Sequence, residues 1–150
     1  MLKLKNDGTG EIFYATKYSA GFDICANEDL ILAPSKWSLI KTGLKIVESC
    51  GAQECLFGNK KVLCVPEIQI RPRSGIAAKF GITVLNSPST IDADYRGEIF
   101  VNLINHSSDF FAIKIGDRIA QGVCTIAIQL NSIEVKEKER GFGGFGSTGV

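Results

Sequence analysis

Five runs rich in β-branched and aromatic residues, each bounded by turn formers, constrain this chain more than any other feature. Trp37 to Val47 (W-S-L-I-K-T-G-L-K-I-V), Val62 to Ile70, Glu98 to Ile104, Phe110 to Ile115 and Ile119 to Ile128 are punctuated by Gly, Pro, Asn, Asp and Ser. Branched and aromatic side chains pack well on a pleated surface, and the residues between the runs are those that turn a chain. Several short strands arranged in this way predict an all-β protein, a sandwich or barrel. One stretch breaks the pattern. Ser74 to Phe80, S-G-I-A-A-K-F, has the alanines and lysine of a helix about two turns long, with Ser74 as its N-cap. At 150 residues and 45% hydrophobic composition, the chain can bury one real core and has no room for a second domain.

Two segments fall outside the strand runs. Glu48 to Lys61 (E-S-C-G-A-Q-E-C-L-F-G-N-K-K) contains Gly58-Asn59 and reads as a surface hairpin excursion with little part in catalysis. From Lys136 the sequence turns to K-E-K-E and then to R-G-F-G-G-F-G-S-T-G-V. Order is therefore expected to end near Glu139, dividing the chain into a β domain at 1–139 and a flexible C-terminal tail at 140–150. That tail holds an arginine, two phenylalanines and a Ser-Thr pair among five glycines. The composition fits a mobile end without a role. It also fits a segment that closes over a nucleotide, with glycine amides and a guanidinium for phosphate and a ring to stack on a base.

Lysine and arginine total 17 against 16 acids, so the whole-chain field gives no reason to expect a nucleic acid partner, and any phosphate binding must be local. The N-terminal residues lack the apolar core of a signal peptide, and no apolar run approaches the roughly 20 residues that cross a bilayer. The expectation is a soluble, cytoplasmic protein with no membrane contact. Cys25, Cys50, Cys55, Cys64 and Cys124 are an odd number at spacings unlike zinc-ligand patterns, and the three that lie close together in sequence are far from the single His106. Reduced, mostly structural thiols are expected.

Chemistry concentrates in a few further segments. In Arg71-Pro72-Arg73-Ser74-Gly75, a strand delivers a guanidinium, a hydroxyl and helix N-terminal amides to one place. Such a set holds an anion, although the same residues also make a helix cap with an exposed arginine. Asn86 to Glu98, N-S-P-S-T-I-D-A-D-Y-R-G-E, is dense in turn formers and should be exposed at a strand end. An aspartate there can orient and deprotonate a water while the tyrosine packs on a sugar, or the carboxylates can simply satisfy turn amides. Asp23, in S-A-G-F-D-I, and Gly116-Asp117-Arg118-Ile119-Ala120-Gln121 place polar groups at strand edges. Gly116-Asp117 reads as a turn and Asp117 with Arg118 as an ion pair. Gln121 stands in an apolar strand and must find a neighbour or a ligand.

Taken in order from Ala20 to Gly149, the segments A-G-F-D, R-S-G-I-A, N-S-P-S-T-I-D-A-D-Y-R-G-E, G-D-R-I-A-Q and R-G-F-G-G-F-G-S-T-G closely resemble the five motifs of the trimeric dUTPases. The resemblance implies a jelly-roll-like β-barrel or sandwich, a homotrimer whose active sites draw motifs from three chains, and Mg²⁺-assisted hydrolysis of dUTP to dUMP and pyrophosphate. That activity keeps uracil out of DNA and supplies dUMP for dTMP synthesis. By motif, Asp92 would orient and activate the water that attacks the α-phosphorus, and Tyr95 would pack under the deoxyribose where a 2′-hydroxyl has no room. Arg73, Ser74 and Gly75 would hold the phosphates, and Gln121 would touch the α-phosphate or a metal-bound water. Asp23 would hold Mg²⁺ through water while the substrate's own oxygens supply most of its ligands. Asn86, Thr90, Ile91 and Phe100 would read uracil, mainly through main-chain groups, in a pocket too tight at C5 for a thymine methyl. In the tail, Phe145 would stack on uracil, Arg140 would clamp the γ-phosphate, and Gly146, Ser147 and Thr148 would complete the phosphate cage.

One position departs from the family pattern, which reads N-S-P-G-T-I-D where this chain has Ser89. If the backbone there has φ > 0, serine carries strain of about 1 kcal/mol or somewhat more, and the turn is expected to tolerate it by local adjustment. Two other readings share the fold. A dCTP deaminase-like enzyme would release ammonia from dCTP, but I-D-A-D-Y-R-G and Arg140 to Gly149 fit the dUTPase pattern better. A non-catalytic nucleotide-binding or signalling module should lack the carboxylate or the phosphate clamp, whereas Asp92, Arg73, Gln121 and Arg140 are all present.

Overall fold

The computed structural model describes residues 2–130 and 141–144. Their strands are β1 (Leu2–Asn6), β2 (Gly21–Cys25), β3 (Leu30–Leu32), β4 (Trp37–Ser49), β5 (Gln53–Phe57) and β6 (Lys60–Pro72). After the helix α1 (Ser74–Phe80) come β7 (Ile82–Val84), β8 (Ser89–Asp92), β9 (Ile99–Asn105), β10 (Phe111–Ile113) and β11 (Arg118–Gln129). All pairings between these strands are antiparallel. One sheet runs β1-β4-β9-β7, a second pairs β10 with β3, and the third runs β2-β11-β6-β5. In that third sheet β8 shares the β5 edge of β6: β5 takes Lys60 to Cys64, and β8 takes Glu67 to Ile70.

Alternation makes the core. In β9 (I-F-V-N-L-I-N) every second residue is buried, and from Cys64 to Ile70 β6 does the same, so one face of each strand turns inward. Ile40, Ile99, Val101 and Leu103 from the first sheet meet Leu32 and Ile113 from the second and Ile24, Ile68, Ile70 and Ile119 from the third. Each such side chain contributes roughly 1.5–3 kcal/mol through burial. The outward residues of the same strands are left free to carry the site.

The five expected runs are β4, β6, β9, β10 and β11, with ends shifted by up to two residues. The Glu48 to Lys61 excursion is a hairpin as expected. Phe57 pairs with Lys60 around Gly58-Asn59, where Gly58 has φ +62°, and the extra pairs lengthen β6 at its start. β1, β2, β3, β7 and β8 do not stand out in the sequence, because they are short or interrupted by polar residues and gain their stability from the strands beside them.

Two local expectations change. The helix lies where predicted, but Ser74 is its first helical residue and Arg73 is the N-cap, with φ −87°, ψ 126° and no side-chain capping bond. β6 ends at Pro72 and Arg73 stays extended, so the chain passes from strand to helix without a turn that would make Ser74 the cap. Ser89 carries no left-handed strain: among the described non-glycine residues with positive φ there is only Ser35, and Ser89 lies in β8 opposite Ile70.

Candidate active site

β8, the loop after it and the start of β9 enclose a cavity of about 290 Å³. Asn86, Thr90, Ile91, Asp92, Tyr95 and Phe100 all line it, so the structure brings together the six residues expected at the base, sugar and water positions. Asp92 ends β8, opposite Glu67 of β6. The Asp92 carbonyl accepts from the Tyr95 N–H at 3.0 Å, which turns the chain so that Tyr95 also faces the cavity. The Tyr95 hydroxyl donates to the Glu98 carbonyl at 2.8 Å. A Cβ at Gly97 would lie 2.4 Å from that hydroxyl oxygen, so only glycine allows the ring this position. Arg96 braces the loop from below, donating through Nη1 to the carbonyls of Ala93 at 2.8 Å and Tyr95 at 3.1 Å.

Part of the tail reaches this cavity. Gly141 bridges to Tyr95 in parallel fashion, and its carbonyl accepts from the Arg96 N–H at 2.6 Å. Gly143 and Gly144 add to the lining. Arg140, Phe145, Gly146, Ser147 and Thr148 lie outside the described residues, as does the expected end of order near Glu139.

A second cavity, of about 380 Å³, gathers Asp23, Arg73, Ser74, Gly75 and Gln121, the residues expected at the phosphates and metal. β2 and β11 place Asp23 opposite Gln121, and β6 places Arg71 on the other side of Gln121. The Asp23 carboxylate is shared by two guanidiniums, Arg73 Nε on Oδ1 at 2.9 Å and Arg118 Nη1 on Oδ2 at 3.1 Å. Arg73 also donates through Nη1 to the Arg118 carbonyl at 3.0 Å. Gln121 finds a neighbour: its Nε2 donates to the Pro72 carbonyl at 2.8 Å. With Arg71 also in the lining, its guanidinium on Gln69 Oε1, the cleft carries three arginines against one carboxylate, a net positive charge that suits an anion. At its edge burial pushes the Cys25 thiol up; Asp23 adds to the rise, and Arg118 and Arg73 oppose it.

Arg118 corrects one expectation. It pairs with Asp23 rather than Asp117, whose carboxylate instead accepts from the Lys114 N–H at 2.8 Å and closes the Gly116-Asp117 turn. Arg71, Arg118 and Glu98 are the charged lining residues that sequence reasoning missed as site residues. Arg71 carried a signal, standing two positions before Arg73 on the face of β6 that bears Glu67 and Gln69.

The donor set admits Mg²⁺ only in one way. Among the described residues no group of three or more His, Cys, Asp or Glu is placed to hold a metal ion, so there is no protein cage. A carboxylate has about four acceptor positions, and the arginines on Asp23 use two. The remainder suits a contact to the water shell of a hard ion bound by phosphate oxygens. No disulfide joins the five cysteines to one another, and no helix among the described residues is long and apolar enough to cross a membrane.

The dUTPase family model matches residues 66–149 of the chain. Deoxyuridine 5′-triphosphate nucleotidohydrolase of Nautilia profundicola is 54% identical over 139 residues, covering 91% of this chain and 88% of that protein. The enzyme of the same name from Wolinella succinogenes is 47% identical over 139 residues, covering 91% and 84%. Among solved structures, dUTPase from Streptococcus mutans aligns with a TM-score of 0.69 at 23% identity, covering 87% of this chain and 98% of that one. An aspartate-to-asparagine variant of the dUTPase from Staphylococcus aureus phage phi11, described with a structural Mg(II) ion, aligns with a TM-score of 0.68 at 20% identity, covering 93% and 99%. At these identities the structures speak for the fold alone, and it is jelly-roll-like, all-β with one short helix.

Proposed function

This chain belongs to the dUTPase family and hydrolyses dUTP, and we propose that Asp92 orients the water that attacks the α-phosphorus. The observation that carries this reading is the division of the predicted residues into a base pocket holding Asp92 and Tyr95 and a cationic cleft holding Arg73 and Gln121. Water adds to the α-phosphorus, the bond to the bridging oxygen breaks, and dUMP and pyrophosphate leave, with Asp92 taking a proton from the water. Arg73, Ser74 and Gly75 hold the phosphates, Ser74 near the oxygen between the α and β groups. The Gln121 amide carries two hydrogens, and after Pro72 takes one the second serves the α-phosphate. Mg²⁺, when bound, neutralises part of the triphosphate charge. Asp23 contacts its hydration shell and keeps Arg73 in place.

The two cavities share no lining residue. A triphosphate that needs both is best served when the base pocket of one copy abuts the phosphate cleft of another, which supports a homotrimer with shared sites. Ile126, Ile128 and Leu130, exposed around the end of β11, give such an assembly apolar surface to bury. Uracil is read by Asn86, Thr90, Ile91 and Phe100, and Tyr95 packs under the deoxyribose. Arg140, Phe145, Gly146, Ser147 and Thr148 act as the lid, clamping the γ-phosphate and stacking on the base; this assignment rests on the motif alone. The enzyme works in the cytoplasm, where thiols that form no disulfide stay reduced and dUTP must be removed before it enters DNA.

Asp92→Asn tests the central role. Affinity for a non-hydrolysable dUTP analogue should stay within about threefold while turnover falls on the order of 10²- to 10⁴-fold. Turnover near the wild-type rate removes Asp92 from the role.

A further inference from the structure

Glu98 lines the base pocket, but its carboxylate is engaged by β4, the strand that pairs with β9 in the first sheet. Its Oε1 accepts from the Gly43 N–H at 2.8 Å and the Thr42 N–H at 3.1 Å. These amides sit where the register of β4 on β9 slips between Lys41 and Leu44, outside the regular ladder. From these contacts we infer that Glu98 is a positioning residue that sets the Tyr95 ring, and through it the preference for a deoxyribose over a ribose. The inference rests on the placement of Tyr95 under the sugar proposed above.

Three observations connect Glu98 to the ring. The Glu98 carbonyl accepts the Tyr95 hydroxyl at 2.8 Å, so one residue holds the ring through its main chain and the body of the protein through its side chain. The anchor itself is fixed. Gly43 has φ +73°, its carbonyl accepts from the Asp7 N–H at 2.8 Å, and a Cβ on it would lie 2.3 Å from the Gly8 nitrogen. Thr42 is tied as well, its hydroxyl donating to the Ile99 carbonyl and accepting from the Leu44 N–H. Finally, the loop from Ala93 to Gly97 belongs to no strand, and Glu98 is the residue that joins it to β9. A ring excludes a 2′-hydroxyl only if it cannot retreat. Without the carboxylate, Thr42 and Gly43 lose their acceptor and the loop loses its side-chain tie to β4, so the ring gains room to move away from the sugar.

The readout is kcat/KM for dUTP relative to UTP, with KM and kcat resolved separately. Glu98→Ala should lower the dUTP/UTP ratio on the order of tenfold, with the dUTP loss mainly in KM. Glu98→Gln, which keeps a carbonyl acceptor on the same reach, should recover most of the ratio. Tyr95→Phe keeps the ring but removes its bond to the Glu98 carbonyl; it should lower the ratio as well, and less than additively with Glu98→Ala. A ratio within twofold of wild type in Glu98→Ala, or equal damage in Ala and Gln, overturns the inference. Should Glu98→Ala fail to fold, an unchanged ratio in Tyr95→Phe overturns it, and a lowered ratio with Glu98→Gln near wild type supports it. Tyr95→Ala separates this inference from its premise. If that change leaves the ratio alone, the sugar contact is wrong. If it lowers the ratio while Glu98→Ala and Tyr95→Phe do not, only the role of Glu98 falls.

Discussion

Replacing Asp23 by Asn leaves the geometry of the phosphate cleft intact while removing the charge that two arginines share. Its partner Arg118 is 47% exposed, and a pair that open is worth only about 0.2–1 kcal/mol. Arg73 is 26% exposed against a carboxylate that is 12% exposed. Breaking a fully buried pair costs about 3–5 kcal/mol, and discounting for partial exposure leaves about 1–2 kcal/mol here. The expected loss is therefore about 1–3 kcal/mol, read by urea unfolding at fixed chain concentration. In heat this corresponds to a Tm lowered by roughly 4–8 °C for a 2 kcal/mol change in a domain of this size. Function should divide differently. Arg73 loses the carboxylate that holds its Nε, so KM for dUTP should rise about three- to tenfold with a smaller change in kcat. In an Arg118→Ala background the same replacement should cost less stability, because one of its two partners is already gone. A stability change under about 0.5 kcal/mol, or an equal cost in both backgrounds, would refute the shared-charge account.

Two further outcomes test the framework around the site. A Cβ at Gly122 would lie 2.3 Å from Cζ of Phe22, a ring only 4% exposed on the strand that carries Asp23. Gly122→Ala should cost about 1–3 kcal/mol in urea unfolding, and a neutral result would mean that Phe22 is not packed against β11 as described. Asp29 accepts from the Ile115 N–H at 2.8 Å and pairs with Lys114, and these contacts hold its carboxyl below the usual value of 3.8. A depressed carboxylate stabilises the fold above its unfolded pKa, and that contribution is lost as pH falls through the folded one. Asp29→Asn should thus be less stable than wild type at neutral pH, with the gap closing below about pH 3.8. A gap that stays constant or widens under acid would contradict the assignment.

Much of the architecture was legible because burial writes itself into sequence. β4, β6, β9, β10 and β11 are long or apolar enough to announce themselves, and the lone helix stands out by its alanines. Asp23 and Asp92 were different. They sit on β2 and β8, short strands with polar interruptions that exist by pairing with β11 and β6, and pairing partners are not local information. Their importance was visible only as motifs. Arg118 shows the limit most clearly: its sequence neighbour Asp117 closes a turn, while the carboxylate it pairs with lies on the adjacent strand, 95 residues away. Glu98 was visible as the end of a motif, but its hold on the amides of Thr42 and Gly43 depends on a register slip that no periodicity records.

Pyrophosphate release from dUTP, dATP, dCTP, dGTP and dTTP, each with and without Mg²⁺, is the most direct test of the account. The prediction is release from dUTP with Mg²⁺ at a rate on the order of a hundredfold or more above dTTP and dCTP, falling sharply when the ion is chelated. Comparable release from dTTP, or ammonia from dCTP, would contradict it.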